Sequence, residues 1–165
     1  KGLTAIVLKD NPEDKDLPYM EKREGKDWIG LRVCRAGKVT DIYINQLADG
    51  RLMHNNSWIE ADGWTTDAYM FAVTYEEGSE PAEAKDFFVC YGSALRRGEV
   101  SYFASLSKLF VMRQADGRML DLRVEGQPRI RASFRAATRP SVLRVNGTAE
   151  RFEYGKETVT FKGNI

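Results

Sequence analysis

The sequence predicts an all-β protein, an antiparallel two-sheet β-sandwich of about a dozen short strands with little helix. Three observations carry this. Turn signals recur at spacings of roughly 8–12 residues with β-rich runs between them. The tripeptide Ala-Asp-Gly occurs at 48–50, 61–63 and 115–117, and Asp-Gly between apolar runs is a hairpin signal because both residues tolerate positive φ. No stretch long enough for a helix of about 12 residues carries a 3.6-residue apolar period. A curved sandwich built from one large sheet fits the same pattern.

In chain order, Leu3–Leu8 (LTAIVL) reads as a first strand. Residues 10–26 are polar and hold Pro12 and Pro18, so they read as the longest early loop. Trp28–Arg35 alternates, with Ile29, Leu31 and Val33 on one face and Arg32 on the other. Ala36-Gly37-Lys38 turns the chain into Val39–Asn45. Trp64–Tyr75 is the longest strand candidate, and Glu76–Lys85 is an acidic linker whose Pro-Ala-Glu-Ala stretch suits one helical turn. Phe87–Tyr91, Val100–Leu106, Lys108–Gln114, Arg118–Glu125, Arg129–Ala136, Ser141–Asn146 and Thr158–Lys162 complete the set.

One domain accounts for all 165 residues, 1–165. At that size a fold buries roughly 70% of its unfolded surface, so no metal or disulfide staple is required. The start at Lys1-Gly2, with strand-like sequence from Leu3, reads as a piece cut from a longer chain. No apolar run approaches the ~20 residues that span a bilayer. Net charge is +1, but residues 1–90 carry 11 Lys/Arg against 17 Asp/Glu and residues 91–165 carry 14 against 7. That asymmetry suits either a weak attraction between halves or a basic face for an anionic partner. Nucleic acid is not an expected partner, because the overall charge is near neutral and no binding helix or RNA-reading aromatic motif is evident. Cys34 and Cys90 both fall in strands, where two reduced thiols are the default and a single disulfide is the alternative.

His54 is the only histidine, which removes multi-histidine zinc sites, and no Gly-x-Ser-x-Gly elbow or phosphate-cradling loop occurs. No cofactor is expected. The densest polar group is residues 53–69, with His54, Asn56, Trp58, Asp62, Trp64 and Asp67. It could supply a base, amide donors and a stacking platform for a sugar; equally, it could be a hairpin with core tryptophans and turn-forming Asn and Asp. Arg129, Arg131 and Arg135 fall at period two, opposite Ile130, Ala132, Phe134 and Ala136. Such a row could grip carboxylates or sulfates bidentately, or be a solvated outer face, or ion-pair with Asp121 and Glu125 on the preceding strand.

The stretch DWIGLRVCRAGKVTDIYINQLADGRLMHNNSWIEADGWTTDAYMFAVTY resembles the β-rich part of heparinase II/III-like proteins. These are bacterial polysaccharide lyases with an α-helical toroid followed by β-sandwich domains. The turn at Ala48–Arg51 and the strand at Asp62–Tyr69 carry the likeness. The closing run Leu143-Arg144-Val145-Asn146-Gly147 is similar to the last hairpins of many sandwich domains in carbohydrate-active enzymes. The family resemblance implies a parent that abstracts the proton α to a uronate carboxylate, with a Tyr or His base and a neutralising group from a toroid that this chain lacks. It therefore implies a non-catalytic accessory β-sandwich, secreted or periplasmic. Such a domain would pack on the catalytic domain of its parent chain and border a cleft for an acidic polysaccharide. One alternative is an independent carbohydrate-binding module using Trp28, Trp58 and Trp64 or the arginine row. Another is a small enzyme centred on His54 with Asp62 or Asp67.

Overall fold

The computed structural model describes residues 17–48 and 57–165. The expected strand Leu3–Leu8, the Asp49-Gly50 turn, His54 and Asn56 lie outside the described residues. Alternation of apolar and polar side chains builds nearly everything else. The strands are β1 (Tyr19–Glu24), β2 (Trp28–Arg35), β3 (Lys38–Asn45), β4 (Ile59–Ala61), β5 (Trp64–Thr66), β6 (Met70–Glu76) and β7 (Asp86–Arg97). They continue with β8 (Val100–Asp116), β9 (Met119–Glu125), β10 (Arg129–Arg135), β11 (Val142–Val145), β12 (Thr148–Glu150), β13 (Glu153–Gly155) and β14 (Thr158–Asn164). Among the described residues, one 3-10 turn, Pro81–Glu83, is the helical turn expected of the acidic linker.

These strands form one hydrogen-bonded sheet folded into two layers. In the first, β1, β2, β3 and β6 run in order to the start of β7, whose Asp86–Cys90 pairs with β6. The end of β8 follows, pairing through Phe110–Asp116 with β9, which runs parallel to β11. In the second layer, β4 pairs with β5, which pairs with Leu95–Arg97 of β7. Phe103–Ser105 of β8 pairs with β10, which leads to β14 and β13. The long hairpin of β7 and β8 thus belongs to both layers, and strands that switch layers do so through bends and bulges. Its register shifts between Val89 and Gly92, again before Ala94, and again between Leu95 and Arg96.

Turn chemistry follows the sequence where the turns are described. Ala36-Gly37, Asp62-Gly63 and Asn146-Gly147 all hold positive φ at both central positions, the twist that a two-residue hairpin needs. The core lies between the layers. Trp64 on β5 meets Phe71 on β6 and Tyr102 on β8 edge to face, and Tyr43 stacks on Phe71 with ring centroids 4.6 Å apart.

Three expectations are corrected. Residues 19–24 are not loop but edge strand β1; its side chains are mostly exposed, so no alternation advertised it. Trp64–Tyr75 is two strands rather than one, because the chain leaves the second layer after Thr66 and enters the first at Met70. Conversely, Val100–Leu106 and Lys108–Gln114 are one bent strand. Cys34 and Cys90 are unbonded; Cys34 packs against the core, while Cys90, beside Met70, faces outward.

Candidate functional site

The break after Thr66 is where side-chain chemistry concentrates. Asp67 is 4% exposed, and a buried carboxylate must fill its lone pairs. Its Oδ1 accepts from the backbone N–H of Ser93 at 2.7 Å and of Ala94 at 3.2 Å. Its Oδ2 accepts from the Ser93 hydroxyl at 2.8 Å and lies 3.1 Å from Lys108 Nζ. Asp67 therefore pins the β7 bulge, and its acceptor positions are spent. Neither Asp67 nor Ser93 is arranged as a base or an activated nucleophile.

The bulge forces Tyr91 to φ 51°, a left-handed value unusual for an aromatic residue inside a strand. Tyr91 leans on Phe110, ring centroids 5.7 Å apart, and the Lys108 ammonium lies 5.8 Å from the Tyr91 ring centre. A cavity of about 660 Å³ opens here, walled by Asp67, Tyr91, Ser93, Lys108 and Phe110. A second depression of about 610 Å³ is walled by Arg129, Arg131, Lys162 and Asn164. The two share Leu106, Ser107 and Gln127, so they form one groove around the outside of the corner. One end is aromatic and polar; the other carries three cations. Register puts Arg131 opposite Lys162 and Arg129 opposite Asn164.

Of the residues singled out in the sequence, Asp67, Arg129 and Arg131 meet in this groove. Arg135 does not join them: its guanidinium lies 5.1 Å from the Tyr102 ring centre and 3.9 Å from Glu157 Oε2. The alternative of ion pairs with Asp121 and Glu125 of β9 fails, since β10 pairs with β8 and β14, whereas Arg129 and Arg131 stand on an exposed face. Trp64 is fully buried and Trp28 is 7% exposed, so neither offers a face to a sugar. Trp58 is half exposed, outside the groove, with the Arg96 guanidinium 5.9 Å from its ring centre.

Asp62 belongs to a structural network. It accepts from Tyr43 Oη at 3.0 Å and pairs with Arg23 at 3.0 Å. The adjoining Asp41, 1% exposed, takes Arg32 bidentately at 2.7 and 2.9 Å and the Tyr75 hydroxyl at 2.8 Å. Burial, then Asp41, raises the Tyr75 phenol to about 12, and burial raises Tyr43 further. Both phenols stay protonated donors.

Sequence reasoning missed Tyr91, Lys108, Gln127 and Lys162. Tyr91-Gly92-Ser93 interrupts an apolar run, which was the one available signal of a bulge. No protein-family model and no curated protein matches the chain.

Proposed function

We propose that the chain is a non-catalytic β-sandwich accessory domain of a heparinase II/III-like polysaccharide-processing protein, packing on a catalytic domain and bordering its acidic-glycan cleft. The observation that carries this reading is the junction of an apolar sheet face with a basic groove. On the outer side of the first layer, register aligns Leu31, Ile42, Ala72, Phe88 and Met112 in one row across five strands. Ile44, Met70 and Cys90 form the next row. These side chains remain partly open to solvent, Met112 at 38%, and an extended apolar face of this kind marks an interaction surface. The face ends at Phe110, which is also a wall of the groove. A domain seated on the apolar rows would therefore stand beside Tyr91 and Lys108, and a glycan between them would reach Arg129, Arg131 and Lys162.

The groove's chemistry suits an acidic sugar chain. Tyr91 and Phe110 offer apolar ring surface to sugar C–H groups, while Gln127, Ser107 and Lys108 offer donors to hydroxyls. The arginines match carboxylate or sulfate groups in bidentate geometry. The same groove favours an independent binding module as a second reading, with the tryptophan platform set aside because two of its three rings are buried.

Affinity electrophoresis in gels cast with acidic or neutral polysaccharide tests both readings. Acidic glycan should retard the chain, the effect should fade with salt, and Arg131→Ala should weaken it by about tenfold, as loss of a charge-assisted pair does. Absence of retardation by every acidic glycan would remove the groove from the proposal. Release of unsaturated uronate products by the chain alone would overturn its non-catalytic status.

A further inference from the structure

Arg113 of β8, in the part of the strand that belongs to the first layer, points between the layers. It is 6% exposed. Its Nη2 donates to the Arg135 carbonyl at 2.8 Å, tying β8 to β10, and its guanidinium carbon lies 5.6 Å from the Phe87 ring centre. Those contacts hold the guanidinium but do not neutralise it. Its Nε–H is buried without a hydrogen-bond partner, and among the described residues no carboxylate lies within ion-pairing distance. Asp86 acts on it only through space, with Oδ1 committed to the Ala115 N–H at 2.8 Å. Burial lowers the Arg113 pKa to about 10, so the group stays charged at neutral pH. A buried charge without a counter-ion costs far more than one neutral hydrogen bond returns.

Arg113 lines a cavity of about 340 Å³ between the β8–β9 turn and the segment after β10. Lys85 and Arg118 stand in the same wall with Thr138, and no described carboxylate lines it. We infer that this cavity is a site for a small oxyanion, a sulfate, phosphate or carboxylate group that supplies the counter-charge missing at Arg113. Three cationic residues and Thr138 line this space, which is ample for one such group. The site is separate from the groove, shares no lining residue with it, and does not depend on the function proposed above.

Thermal unfolding of the whole chain tests this, with sulfate, phosphate or glucuronate added against chloride at constant ionic strength. A bound anion raises Tm saturably with its concentration, unlike the unsaturating stabilisation by excluded salts. Sulfate and phosphate acting without glucuronate would assign a tetrahedral group; glucuronate acting alone would assign a carboxylate. The double variant Lys85→Ala/Arg118→Ala changes only exposed side chains, and it should weaken the apparent affinity by at least about tenfold. Arg113→Met should abolish the response. The proposal is overturned if none of the three anions gives a saturable shift, or if the shift survives the double variant. It is equally overturned if the shift is lost instead on Arg129→Ala/Arg131→Ala, which would put the anion in the groove.

Discussion

Asp41 and Asp67 show how position decides what a carboxylate does in this fold. Both are almost completely buried, yet neither is free for chemistry, because each is saturated by donors from distant parts of the chain. Asp41 gathers Arg32 from β2 and Tyr75 from β6, and Arg32 Nη2 lies 3.0 Å from the Tyr75 hydroxyl to close the triangle. Asp41→Ala strands that guanidinium and that phenol at once. Removing one partner of a buried charged network destabilises by about 3 kcal/mol, so its urea midpoint should fall sharply while the m-value stays unchanged. An unaltered midpoint would show that solvent reaches Arg32 well enough to replace the carboxylate. Little of this was legible in the sequence. The spacing of Asp62 and Asp67 beside Trp58 and Trp64 suited a sugar platform or a structural hairpin alike; Trp64 went to the core, while Trp58 stays half exposed outside the groove. Single residues carry no label for which side of a strand end they fall on, and Asp62 turned toward Tyr43 and Arg23 rather than toward solvent.

At the scale of elements, alternation made β3, β9 and β10 readable almost to the residue, since a half-buried strand has to write its burial into period two. In β2 the bounds were legible, but the apolar Leu31 faces outward and Arg32 turns in to the buried Asp41. Where an element is solvated on both faces, as in β1, no such signal exists. Where a strand changes layers, its pattern changes phase, and β8 read as two strands for that reason. The corner depends on Gly92. A Cβ there would lie 2.8 Å from the Ala68 Cβ, 2.9 Å from Val89 Cγ1 and 3.0 Å from the Ala68 Cα. Two of those neighbours are backbone-bound atoms that cannot swing aside. Gly92→Ala should therefore cost about 2 kcal/mol by overpacking, and it should push the bulge out of register. Because Tyr91 and Ser93 flank it, the variant should also lose retardation by acidic glycan under conditions where it remains folded. Retained retardation at reduced stability would separate the corner from the groove and leave Gly92 a packing residue only.

For the molecule as a whole, the charge asymmetry seen along the chain becomes spatial. Lys108, Arg129, Arg131 and Lys162 all come from the basic half and meet along one groove, whereas the apolar rows draw on β2, β3 and β6 of the acidic half together with β7 and β8. The β7–β8 hairpin connects the two surfaces, so a partner on the apolar face and a glycan in the groove would share the Phe110 border. A face of this kind, presented by the chain alone, should bind an apolar dye and promote self-association that grows with protein concentration. Phe88→Lys/Met112→Lys places two cations in the central row, at sites partly open to water. Both side chains lie outside the groove walls and outside the core between the layers. The double variant should reduce dye fluorescence and shift sedimentation toward monomer, with the thermal midpoint and glycan retardation close to those of the parent sequence. Loss of glycan retardation along with self-association would mean that binding occurs across paired copies of the chain rather than within one. Unchanged sedimentation, with both substitutions tolerated, would mean that the apolar rows are ordinary sheet surface and would withdraw the packing surface that the accessory-domain reading requires.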